Sequence, residues 1–206
     1  MSTNRWIRCR VMLALGVALS LCVVAPRPLA GQGTAPNSQE KADDAKGFKE
    51  FSNRVQGYLK LQRTVEAGLP TLKSTDLPEM ITAHQQALAR KIREARPHAE
   101  AGDIFTPAAR EAFRHACLAA LGGPRSAMSL AYLQKPGGPN PDMSLAVNGV
   151  YSDTEPTTPF PPELLAVFPT LPAEIAYRIV GRTLIVVDVK SRLIVDVARL
   201  ILPPPS

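Results

Sequence analysis

Glu174-Ile175-Ala176-Tyr177-Arg178-Ile179-Val180-Gly181-Arg182-Thr183-Leu184-Ile185-Val186-Val187-Asp188-Val189 has the period of a sheet rather than of a helix. Both halves are rich in β-branched and aromatic residues, which pack well on a pleated surface. Gly181-Arg182 between them has the Gly-X form of a two-residue hairpin turn. That turn sets the register: Ile179 falls opposite Leu184 and Tyr177 opposite Val186, so one face of the hairpin is apolar. Ile185, Val187 and Val189 point the other way, which makes the middle strand apolar on both sides. Such a strand has to be covered twice, or its second face has to meet a partner. Ile185, Val187 and Val189 are therefore the expected interaction surface.

Outward from the hairpin, Leu193 to Leu200 is a third strand-like run, reached through a turn at Lys190-Ser191. Asp188 and Arg192 interrupt the apolar residues and argue against a membrane-spanning end. Pro203-Pro204-Pro205 ends the sheet, because proline cannot donate to a strand ladder. Upstream, Gln134 to Pro162 is broken by seven prolines, with Gly137, Gly138 and Asn140 among them. So long a connection is rarely left loose in a small domain, and Val147 to Tyr151 is expected to be pinned against the body. Pro162 to Phe168 reads as one or two helical turns that stop before Pro169.

Further upstream the period changes to that of helices. Phe48, Phe51, Val55, Tyr58, Leu59 and Val65 recur every three or four residues, predicting an amphipathic helix that stops before Pro70. Asp76, Pro78 and Glu79 have the spacing of a capping box for a second helix. Its stripe is Leu77, Met80, Ile81, Leu88, Ile92 and Ala95, and Pro97 ends it. Thr106-Pro107 opens a third helix that Gly122-Gly123 closes, and Pro124 opens a short fourth through Tyr132.

At the other end, Asn4-Arg5-Trp6-Ile7-Arg8-Cys9-Arg10 precedes an apolar run from Val11 to Ala25, then Pro26-Arg27-Pro28-Leu29-Ala30-Gly31. A basic flank, a short apolar run and a small-residue exit form the pattern of a secretory signal peptide. The run falls short of the roughly 20 residues that span a bilayer. Cleavage near Ala30 is expected, leaving no transmembrane helix. Cys22 follows Leu19-Ser20-Leu21, a poor context for lipid attachment. The reading is an α+β chain: signal peptide 1–30, flexible spacer 31–46, helical region 47–133, proline-rich connection with a short helix 134–173, and β-hairpin or meander 174–202.

The signal segment also changes the charge balance. The chain has 24 Lys and Arg against 18 Asp and Glu, and Arg5, Arg8, Arg10 and Arg27 all precede Gly31, where no acidic residue lies. The remainder carries only +2. That is not the strongly basic domain of a nucleic-acid reader, and no nucleic acid is expected as a partner. Cys117 is the one cysteine beyond the signal segment. It shares an apolar helical face with Phe113, Ala116, Ala120 and Leu121 and is expected to be buried.

No motif specifies a reaction: G-x-S-x-G, H-E-x-x-H, C-x-x-C and a phosphate-cradling glycine loop are all missing. No catalytic residue and no cofactor are expected. His84 lies on the apolar stripe of the second helix and reads as a core or boundary residue. His98, Glu100, Asp103 and His115 are the weak metal candidates, lacking the recognisable spacing of a zinc site. The basic run Arg90 to Arg96 has the character of a solvated helix face.

Ala89 to Arg96 with Ala101 to Pro107, and Leu171 to Arg182 with Leu184 to Val189 and Leu193 to Asp196, resemble a family of small exported bacterial proteins of acidobacterial type and unknown function. The resemblance implies export and a helices-then-hairpin architecture, and adds no site residue. The terminal hairpin alone is also similar to that of periplasmic nickel/cobalt-homeostasis proteins, which implies a fold-level analogy. The function expected is that of an exported, non-catalytic periplasmic or envelope protein binding a protein or envelope component. A periplasmic metal-binding or metal-responsive protein is the alternative, and a small hydrolase of an envelope polymer is the third.

Overall fold

A computed structural model describes residues 38–72, 77–123, 145–151 and 160–203. The signal segment, the first part of the spacer, Asp76 and the fourth helix expected from Pro124 lie outside the described residues. The elements run α1 (Ser38–Ala67), α2 (Pro78–Ala95), α3 (Pro107–Leu121), α4 (Pro162–Leu165), β1 (Ile175–Val180), β2 (Thr183–Asp188) and β3 (Ile194–Ala198). The strands form one antiparallel sheet in the order β1-β2-β3. The chain is α+β, with its helices followed by a C-terminal meander. Among the described residues, no helix is long and apolar enough to cross a membrane.

The hairpin has the register that its turn dictates, with Ile179 paired to Leu184 and Tyr177 to Val186. Gly181 sits at φ +57°, where glycine carries no steric penalty. Ile175, Tyr177, Ile179, Leu184 and Val186 face the helices. All six phenylalanines of the chain join Tyr177 in one connected aromatic cluster. At its centre Phe113 of α3 meets Phe168 edge-on with ring centroids 4.6 Å apart, a geometry that aligns ring edge with ring face. Cys117 is fully buried beneath this layer, and burial pushes its thiol up to about 12.

The second face of the sheet corrects the expected interaction surface. Ile185 and Val187 are buried with Val180, Ile194 and Val197 under Leu145, Val147 and Tyr151. The covering segment is pinned as its hydrophobic residues suggest. Asn148 N–H donates to Ile194 O, Ile194 N–H to Gly149 O and Tyr151 N–H to Arg192 O, each at 2.8 Å. Asn148 takes φ +64°, a conformation asparagine tolerates. The chain thus supplies the second cover itself, and of the three residues only Val189, 49 % exposed, stays open.

The spacer also needs correcting. Ser38 to Lys46, read as flexible, forms the opening turns of α1. Gly47 explains how: a Cβ there would lie 2.5 Å from Ala108 O, so its absence lets α1 approach α3 closely. The polar residues before it are held by α3 rather than by an apolar face of their own, a tertiary cause invisible to periodicity. In α2 the N-cap is Leu77, with no side-chain cap bond, and Pro78 takes the first turn. The stripe of α2 is covered only at its far end: Leu88 and Ile92 are buried, whereas Leu77, Met80 and Ile81 are exposed. Thr106 caps α3 as expected, its hydroxyl accepting from Ala109 N–H at 3.3 Å. Gly122 follows Leu121 with an ordinary right-handed φ of −78° instead of a left-handed cap.

Candidate functional site

Two aspartates in the apolar strands join the sheet to the helical layer. Asp188 is completely buried. Its Oδ2 accepts from Tyr58 Oη–H at 2.6 Å and Gln62 Nε2–H at 2.9 Å, both on α1. Its Oδ1 accepts from the N–H groups of Lys190 and Ser191 at 2.8 and 3.0 Å, closing the β2–β3 turn. Burial and the Asp188 carboxylate push the Tyr58 phenol well above its ordinary range. Asp196 is equally buried and accepts only from backbone: Gly102, Ile104, Phe105 and Val197, at 2.6 to 2.9 Å. Both carboxylates are enclosed and saturated, so their role is to hold the layers together.

The expected metal candidates do not come together. His98 and Glu100 are exposed in the turn after α2, where Asp103 accepts from Arg96 Nη2 at 3.4 Å and from Glu100 N–H at 3.1 Å. His115 belongs to a different cluster, between the start of α1 and α3. Its Nδ1 lies 2.9 Å from Asp44 and 3.5 Å from Glu40, and its Nε2 lies 3.1 Å from Glu111. Both ring nitrogens thus face carboxylate oxygens of the adjoining helices. Among the described residues, no group of three or more His, Cys, Asp and Glu side chains is placed to hold a metal ion. The basic run is partly structural too: Arg93 Nε donates to Asn148 O at 2.9 Å, and the Arg96 guanidinium lies 5.1 Å from the centre of the Tyr58 ring.

Of four concavities among the described residues, one of about 590 Å³ along α1, lined by Gln56, Lys60, Arg63, Thr64 and Ala67, has no aromatic wall. Charge separates the other three. The first is a groove of about 580 Å³ between the end of α1, the start of α2 and the β2–β3 turn, bordered by Ile81 and the half-buried His84. Its cations are already matched, Arg63 with Glu174 at 3.1 Å and Lys190 with Glu66 at 2.7 Å. The second holds His115 and its carboxylates. The third, about 450 Å³, runs along β1 and has no acidic residue among its described lining.

This third cleft opens the aromatic cluster to the surface. Phe160 stacks on Tyr177 at 5.7 Å and meets Phe168 at 6.0 Å; Leu165, Pro169, Leu171 and Ile175 complete the apolar wall. Val189 N–H donates to Glu174 O, and antiparallel alternation then turns the Tyr177 carbonyl outward, away from β2. Arg178 Nη1 donates to that carbonyl at 2.9 Å, which lays the guanidinium over the outer edge of β1. Among the described residues, the buried Arg178 Nε has no acceptor and no carboxylate pairs with this side chain. Sequence reading missed Arg178. The available signal was a lone cation in an otherwise apolar strand, next to an aromatic residue. Comparisons with protein-family models, curated proteins and solved structures return no match.

Proposed function

We propose that this chain is an exported binding protein of the periplasm or cell envelope, acting without catalysis, and that the cleft along β1 takes its ligand. The observation that carries the reading is an arginine with no carboxylate partner among the described residues, beside an aromatic-walled cavity. Small-molecule sites are typically concave, mostly apolar and of roughly 300–1,000 Å³, with a few polar groups fixing orientation. The export half rests on the basic flank, apolar run and small-residue exit of residues 1–30, in keeping with the resemblance to small exported bacterial proteins.

Both halves are tested on one sample. Protein recovered gently from the envelope fraction should have an intact mass that begins at Gly31. Trp6, the chain's single tryptophan, should be absent from it. A chain still carrying Trp6 overturns cleavage, and one starting at a lipid-modified Cys22 makes it a lipoprotein. In native mass spectrometry it should retain a small non-covalent ligand that is lost from Thr170→Trp, an exposed position on the cleft wall. The same mass from both proteins, without ligand, removes the binding reading.

A further inference from the structure

We infer that the ligand of the β1 cleft is a small hydrocarbon bearing one carboxylate, its chain between the rings and its charge on Arg178. The inference rests on the binding reading above and specifies the chemistry of that site. The wall offers Phe160, Phe168, Tyr177, Leu165, Leu171 and Ile175 to an aliphatic or aromatic body, and its described lining holds no acidic group to repel an anion. A guanidinium presents five N–H donors in a planar fork, and carboxylates match that fork with two parallel bonds. Here Nη1 is anchored on the Tyr177 carbonyl, while Nε has no hydrogen-bond partner among the described residues. Nε and Nη2 share the remaining edge of the guanidinium, the edge that meets both oxygens of a carboxylate. Pairing through that edge brings Nε out of its covered position and exchanges the Nη1 bond to the Tyr177 carbonyl, a neutral acceptor, for a charge-assisted one. The groove by the β2–β3 turn and the His115 pocket differ on this point, because a ligand anion there would have to displace Glu66 and Glu174, or approach Glu40, Asp44 and Glu111. The concavity along α1 is basic but offers no aromatic side chain to a hydrocarbon.

Calorimetric titration with decanoate, decanol and decylammonium separates charge from hydrocarbon. Decanoate should bind at least tenfold more tightly than decanol, and decylammonium most weakly. Arg178→Gln should lower decanoate affinity roughly ten- to hundredfold, the scale of one charge-assisted pairing, and leave decanol unchanged. Unchanged decanol binding also shows that the variant is folded, and Arg178→Lys should restore part of the difference. A free-acid dipeptide, acetyl-Phe-Leu, against its C-terminal amide tells a peptide carboxylate from a fatty one; either acid binding through Arg178 supports the inference. Equal affinity for decanoate and decanol, or an unaffected Arg178→Gln, overturns it. If no carboxylate binds while the envelope-derived protein still holds a ligand that Thr170→Trp abolishes, the carboxylate assignment falls and the binding reading stands. If neither is seen, both fall.

Discussion

Asp188 and Asp196 close two nearly identical stretches, Leu184-Ile185-Val186-Val187-Asp188-Val189 and Leu193-Ile194-Val195-Asp196-Val197, yet each is held in a different way. Asp188 reaches into α1 and takes two of its four hydrogen bonds from side chains, Tyr58 and Gln62. Asp196 reaches into the loop between α2 and α3 and takes all of its bonds from backbone N–H groups. A side-chain donor can be replaced by an apolar group of similar shape, so its loss is repairable by sequence change. A backbone donor persists in every variant, and burying it without an acceptor carries its full desolvation cost. The same local sequence thus yields an adjustable joint at the end of β2 and a fixed one in the middle of β3.

The strongest way to break this comparison is Asp196→Ala. It leaves the N–H groups of Gly102, Ile104, Phe105 and Val197 without their acceptor, and at about 1–3 kcal/mol for each buried orphan the loss should be on the order of 4 kcal/mol or more. Urea unfolding would show it as a fall in midpoint. A loss no larger than that of Asp188→Ala removes the distinction. Next comes the cycle of Tyr58→Phe and Asp188→Asn. Each single change should cost about 1.5–3 kcal/mol, as for hydrogen bonds to charged groups. The double variant should cost clearly less than the sum, because both remove one bond; strict additivity would separate Tyr58 from the joint.

Alkaline titration sharpens the contrast further, since only the Asp188 joint contains a group that ionises there. Burial raises the folded-state pKa of Tyr58, aided by Asp188, and burial alone raises that of Tyr177. The stability these phenols contribute is complete below the ordinary tyrosine pKa of about 10 and is lost as pH rises above it. Phenolate absorbance from Tyr58 and Tyr177 should appear only together with unfolding. Tyr58→Phe should flatten the stability curve above pH ~10, and Asp196 variants should keep its slope. The smallest effect belongs to a third joint, between α1 and α3, formed by His115 with Asp44, Glu40 and Glu111 and partly exposed. His115→Gln should cost about 1 kcal/mol or less, the range of accessible ion pairs. A larger loss would place this cluster beside the buried aspartates in importance.

The hairpin was readable residue by residue because its cause is local: a Gly-X turn and a two-residue alternation leave one register that keeps the apolar side chains together. Pinning of Val147 to Tyr151 was readable from the length of the connection, since so long a segment is rarely left loose in a small domain. That it covers the second face of the sheet was not, and Ile185 and Val187 were assigned to a partner that the chain replaces with Leu145, Val147 and Tyr151. The start of α1 was misjudged because its polar turns are held by His115 and the close approach at Gly47, not by any periodicity of their own. Neither buried aspartate was recognised as a joint, because Asp188 meets Tyr58 across 130 positions and Asp196 meets Gly102 across 94.

By itself, then, the sequence determined the class of every described element, the order of helices before strands and the pairing of the hairpin. These follow from interactions within one or two turns of chain, where period, turn residues and caps act directly. Only the tertiary structure decided which apolar face is sealed by the chain itself and which carboxylates hold the layers together. It also decided that Arg178, with no carboxylate partner among the described residues, lines an aromatic cleft. Those outcomes depend on what lies across a contact between distant segments, and a buried charge shows its meaning only through the partner that satisfies it or, at Arg178, through the lack of one among the described residues.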